Sequence, residues 1–130
     1  MSATSAPPPA ASDRIDPEAL IRDMFRVIDS GRHDSLGAFF AADVCYERPG
    51  YPPIQGLDAL LTFYRHDRVI AQGEHHIASI LVSNGAAVCE GVFEGILKDG
   101  RKVTEAFADC YRLDGDRIRH RRTYFARPAI

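Results

Sequence analysis

The chain has 130 residues, 45% of them hydrophobic, and sets 16 basic against 18 acidic side chains for a formal charge of −2. That length suits one domain with its own core. The slightly negative charge excludes a global basic field, so neither nucleic acid nor an anionic membrane is expected as a partner.

The opening "MSATSAPPPAASD" lacks a basic start and an apolar run, and its Ala, Ser and Pro cannot build a core. Residues 1–14 are expected to be a flexible tail and residues 15–130 the domain. No later segment approaches the roughly 20 apolar residues needed to cross a bilayer, which points to a cytoplasmic protein. Cys45, Cys89 and Cys110 are odd in number and sit in strand-like apolar surroundings. They read as buried structural thiols in a reducing compartment.

Asp16, Pro17 and Glu18 form a helix start, with a capping oxygen, a harmless proline and a charge that suits the dipole. Leu20, Met24 and Ile28 continue it as an apolar stripe that stops at Gly31. A short helix fits "HDSLGAFFA", a strand and a Pro- and Gly-rich loop fit "DVCYERPGYPPIQG", and a third helix fits "LDALLTFYRHDRV". From Gly73 the period becomes two. Four strand-like segments are separated by Asn84-Gly85, Asp99-Gly100 and Asp114-Gly115, which are strong hairpin signals. Helices followed by an antiparallel meander make the fold α+β.

Counting outward from two-residue turns predicts the faces of the sheet. One face gathers His75, Ile77, Ser79 and Leu81 with Val88, Glu90, Val92, Glu94 and Ile96, and with Val103, Glu105, Phe107, Asp109 and Tyr111. In that register Asp109 lies opposite Glu90, and Glu94 lies between His75 and Glu105. Apolar and ionisable groups mixed in this way suggest a ligand cavity. The other face gathers Phe93 with Gly91, Gly95, Ala106, Ala108 and Cys110. No helix is left to cover it, so a homodimer through the convex sheet face is expected.

The phrase "GRHDSLGAFFAADVCYERPGYPPIQGLDALLTFY" and the ending "FADCYRLDGDRIRHRRTYF" resemble the nuclear transport factor 2-like superfamily. That superfamily includes steroid delta-isomerases, limonene epoxide hydrolase and SnoaL-like polyketide cyclases, and the resemblance covers nearly everything after residue 16. It implies a cone-shaped curved antiparallel sheet packed against three N-terminal helices. It also implies a SnoaL-like enzyme that needs no cofactor and moves a proton beside a carbonyl of a small hydrophobic, polyketide- or steroid-like substrate. By that resemblance Asp109 matches the aspartate that binds the oxyanion as a neutral donor, and Glu47 falls near the base, with Arg48 competing for the slot. Met24 stands where the isomerases carry their oxyanion tyrosine, and Thr123 where the cyclases and the epoxide hydrolase carry an aspartate.

His75 and Glu94 are expected to assist proton transfer, while Glu90, Tyr111, Phe107, Arg121, Thr123, Met24 and Tyr64 are expected to touch substrate. His75 and His76 are adjacent on a strand and point to opposite faces, so no metal is expected. Epoxide opening by water activated between Asp109 and Glu90 is the competing enzymatic reading. A non-catalytic binder of small hydrophobic ligands is the remaining one.

Overall fold

The structure, a computed structural model, describes residues 16–128. The expected tail at 1–14 lies outside the described residues. Helix α1 (Pro17–Asp29) begins as the sequence predicts, with the Asp16 carboxylate accepting the Glu18 N–H at 3.2 Å. Its buried stripe is Leu20, Ile21, Met24, Phe25, Val27 and Ile28. A 3-10 turn at His33–Ala38 leads into strand β1 (Phe40–Glu47), followed by β2 (Ile54–Gln55) and helix α2 (Leu57–Thr62). The third helix is shorter than its pattern suggests. After Thr62 the chain widens into a π turn over Phe63–Asp67, which turns Phe63 and Tyr64 inward. Such widened turns recur at functional sites.

Four long strands follow: β3 (Ile70–Ser83), β4 (Ala86–Leu97), β5 (Lys102–Asp114) and β6 (Arg117–Phe125). The six-stranded sheet has the order β2-β1-β6-β5-β4-β3. The β3 to β6 meander is antiparallel as expected, whereas β1 joins β6 in parallel and makes the sheet mixed. The core lies between the helices and the inner face of this curved sheet.

Two features move residues between faces relative to the sequence count. The Asn84-Gly85 turn has two residues, flanked by the pair Ser83 and Ala86. The β4–β5 connection does not, because Leu97 N donates to Arg101 O at 2.8 Å and Gly100 N to Leu97 O at 2.9 Å. That leaves a three-residue loop with Gly100 at φ +91°, a conformation that suits glycine. One extra residue shifts the register by one, which turns every β4 side chain over relative to β5. Asp109 therefore faces Cys89, while Glu90 pairs with Ala108 on the opposite side. A bulge between Ile77 and Ser79 shifts β3 in the same way, so Ser79 and Leu81 leave the face that holds His75.

The face expected to pair subunits is consequently not formed. Phe93 is buried at 3% exposure, and Ala106 and Ala108 lie on the other side of the sheet. Gly73 and Gly95 make room for the Phe93 ring. A Cβ at either would come within 2.3 or 2.6 Å of that ring.

Candidate active site

Strands β5 and β6 bring Asp109, Tyr111, Arg121 and Thr123 side by side beneath the helices. Asp109 pairs with Thr123 and Tyr111 with Arg121 across the ladder. Asp109 is fully buried and accepts three hydrogen bonds. Oδ2 takes them from Tyr111 Oη at 2.7 Å and Arg121 Nε at 2.9 Å, and Oδ1 takes one from Thr123 Oγ1 at 2.5 Å. All three partners donate, so Asp109 has no proton to give in this arrangement. The expected neutral donor is instead the carboxylate of a buried ion pair. Burial alone would lower the Arg121 guanidinium, but Asp109 and the hydroxyls of Tyr46, Tyr64 and Tyr111 carry it well above its ordinary value. Burial, reinforced by Asp109, raises the Tyr111 hydroxyl well above its own, which keeps it neutral.

The direction of each proton follows from this. Thr123 spends its hydroxyl proton on Asp109, so Tyr46 donates to Thr123 across their 3.0 Å contact. Tyr64 accepts from Arg121 Nη1 at 2.8 Å. Its own proton is thus left for a ligand.

The cavity bordered by these groups is lined by Tyr46, Tyr64, Arg121 and Thr123, by His75, Phe93 and Phe107, and by Arg48 and Arg68. Its closed volume is about 30 Å³, room for one water molecule. Arg48 and Phe63 also form the wall of an outer groove of about 440 Å³ that is lined by Tyr51, Pro52, Pro53, Ile54 and Ala59.

His75 enters the cavity from β3 and is packed between the rings of Phe25, Phe93 and Phe107. Its Nδ1 lies 2.6 Å from Asp29 Oδ1, and its backbone N–H donates to Asp29 Oδ2 at 2.8 Å. The carboxylate fixes the Nδ1–H tautomer and leaves Nε2 with a lone pair. Burial lowers the His75 pKa, and the Asp29 hydrogen bond opposes that only in part, so the ring is neutral at pH 7.

Several expected site residues lie elsewhere. Glu47 is on the outer face, because β1 points Val44 and Tyr46 inward and Cys45 and Glu47 outward. There it contacts His120 Nε2 at 2.5 Å, and that hydrogen bond holds its carboxyl below the usual range. Arg48, the alternative at this position, lines the cavity. The register shift places Glu90 and Glu94 on the outer face, where Glu90 accepts from Ser79 at 3.3 Å and Glu94 meets His76 at 2.8 Å. Met24 is fully buried in the helix stripe and does not line the cavity. Asp29 and Arg68 were not anticipated. Asp29 stands outside the apolar stripe of α1, and Arg68 follows the π turn that ends the helical pattern.

Among the described residues, Cys45, Glu47 and His120 are the one group of three metal-ligating side chains, with their ligand atoms within 4.8 Å of one another. The group lies on the outer face beside Arg122, whose charge opposes a dication, and not in the cavity.

The profile of the SnoaL-like domain matches residues 21–121, most of the described chain. The chain belongs to the SnoaL-like domain family. No curated protein sequence matches it. Solved structures similar to this SnoaL-like chain include a protein from Catenulispora acidiphila with a ketosteroid isomerase-like fold, in complex with trimethylamine. That match has 20% identity and a TM-score of 0.74 and covers 85% of this chain and 86% of that one. An epoxide hydrolase from M. tuberculosis of the LEH-like type matches at 22% identity and a TM-score of 0.72, covering 82% and 79%. A putative SnoaL-like polyketide cyclase from Shewanella putrefaciens matches at 13% identity and a TM-score of 0.73, covering 96% and 92%. At such identities the likeness concerns the SnoaL-like fold and leaves the chemistry to the site.

Proposed function

We propose that this protein is a small cofactor-independent enzyme of isomerase or cyclase type that moves a proton beside a substrate carbonyl. The observation that carries the reading is His75, held by Asp29, which lines the same cavity as Tyr64 and Arg121. His75 Nε2 removes the proton, and Asp29 orients the ring and steadies the imidazolium that forms. Tyr64 donates to the oxygen where negative charge develops, with the Arg121 guanidinium behind it. Asp109 serves this step indirectly by holding Arg121, Tyr111 and Thr123 in place. Substrate reaches these groups when Arg48 and Phe63, the wall between the interior and the outer groove, move aside.

The epoxide-opening reading required Asp109 and Glu90 as an acidic pair, and their side chains lie on opposite faces of the sheet. Pairing of two copies belongs to the same proposal, through the outer sheet face that exposes Leu81, Val88, Val92 and Tyr124. The test is deuterium exchange, followed by NMR, at the carbon next to the carbonyl in a panel of β,γ-unsaturated ketones and polyketide-like esters. Exchange that depends on His75 supports the proposal. Exchange equal in the wild type and in His75→Gln defeats it.

A further inference from the structure

We propose that the ligand of this cavity is an organic anion, a carboxylate carried on an apolar or aromatic body, and that Arg48 and Arg68 recognise its charge. The inference rests on the same cavity as the proposed reaction and names the class of compound it takes.

Three guanidinium groups line the interior, those of Arg48, Arg68 and Arg121. Arg121 is matched by Asp109 at 2.9 Å. Among the described residues neither of the others has a carboxylate within 4.0 Å, whereas Arg22, Arg26, Arg65, Arg101, Arg117 and Arg119 on the surface each do. Arg48 and Arg68 lie over aromatic rings instead. Arg48 sits 4.8 Å from the ring centres of both Tyr51 and Phe63, and Arg68 sits 5.3 Å from Tyr64 and 5.8 Å from Phe93.

Stacking of this kind can by itself hold an exposed arginine in place. It does not explain why three cations face one cavity. Like charges gathered in a desolvated site repel, and burial lowers the Arg68 guanidinium, with Arg121 and Arg48 acting in the same direction. No carboxylate is among the groups that oppose this; only the Tyr64 and Tyr46 hydroxyls do. The arrangement is a standing positive potential walled by aromatic faces, and a ligand carboxylate would relieve it.

The walls indicate the rest of the ligand. The closed interior of about 30 Å³ admits little more than the anionic group. The groove of about 440 Å³ beyond Arg48 is lined mainly by apolar residues, among them Tyr51, Pro52 and Ile54, with Gln55, Thr62 and Asp67 as its polar members, which suits a flat, largely apolar body. Arg48 stands at the junction of the two.

The test is calorimetric titration of the full chain with aryl carboxylates, benzoate and 2-naphthoate, against benzamide and 2-naphthamide. The acids should bind about 10- to 100-fold more tightly than the matching amides, the range expected of charge-assisted hydrogen bonds. Their affinity should fall as salt rises, and Arg68→Met and Arg48→Met should each remove most of the preference. Equal affinity for acid and amide, or no acid binding at millimolar concentration, overturns the proposal. The salt dependence of the wild type decides the matter if a variant fails to fold. Acid binding is measured without turnover, so its failure leaves His75-dependent exchange untouched. Conversely, an acid that binds well while exchange ignores His75 defeats only the proposed reaction.

Discussion

His75 gives two hydrogen bonds to one carboxylate, its backbone N–H to Asp29 Oδ2 and its Nδ1–H to Asp29 Oδ1. Strand β3 is an edge of the sheet, so an outward N–H needs a partner from outside the ladder. Asp29, the last residue of α1, supplies it and thereby docks the helix end against the strand. The same contact that satisfies the sheet edge fixes the imidazole. Fold and proposed chemistry share one residue.

Replacing His75 with Gln should lower turnover on the order of 100- to 10,000-fold, the usual contribution of a positioned base. Circular dichroism should show the fold retained. Asp29→Asn keeps an oxygen for the backbone N–H but loses the charge that steadies the imidazolium, so its loss should be smaller and fall on kcat more than on KM. Full activity of His75→Gln would remove the histidine from the reaction.

The pH dependence of stability follows from the lowered His75 pKa. The unfolded ring titrates near 6.5 and the folded one below that value. Above pH 6.5 both states are neutral and the native state keeps its full advantage. As pH falls through 6.5 the unfolded chain takes up a proton that the folded chain does not, and stability declines until the folded ring also titrates. Urea midpoints for the wild type should therefore drop between about pH 7 and 5, and His75→Gln should flatten part of that slope. An unchanged slope in the variant would count against a buried neutral ring. His33, also lowered by burial, contributes to the remainder.

Asp109→Asn should destabilise the protein by about 3–5 kcal/mol, because it strips the buried Arg121 of its counter-charge. The new amide also turns an N–H₂ toward groups that themselves donate, Tyr111, Thr123 or Arg121. Denaturant unfolding measures this directly. A loss below 1 kcal/mol would mean that Arg121 does not depend on Asp109.

Much of the architecture was legible because it is written in local chemistry. Asp16-Pro17 starts α1, and the change from helical to alternating period at Gly73 marks where the sheet begins. The inward face of β5 was legible too, since Phe107, Asp109 and Tyr111 alternate cleanly. The faces of β4 and β3 were not. They depend on a three-residue loop at Lys98–Gly100 and a bulge near Ala78, each adding one residue that the sequence pattern does not reveal. Glu90, Glu94 and Phe93 changed sides for that reason alone. Asp29 escaped notice because its partner is 46 residues away, and no local pattern encodes such a contact.

Gly91 shows the bulge from the other side. A Cβ there would stand 2.1 Å from the His76 carbonyl oxygen, a backbone atom that cannot swing away. Gly91→Ala should cost on the order of 1–3 kcal/mol, as overpacking does. Thermal unfolding would show it, and a neutral outcome would mean that β3 does not bulge toward this strand.

The sharpest contrast concerns Glu47, which the superfamily resemblance would make the base. Its side chain is about one-third exposed on the outer face and bound to His120, and it is not among the residues that line the cavity of His75 and Tyr64. Glu47→Gln should therefore leave turnover within about 2-fold of the wild type, whereas a positioned base contributes at least about 100-fold. Running Glu47→Gln beside His75→Gln in one assay separates the two assignments. If Glu47→Gln is the silent one, proton removal belongs to the β3 histidine; a loss beyond 10-fold would return it to β1 and require strand β1 to turn its other face inward.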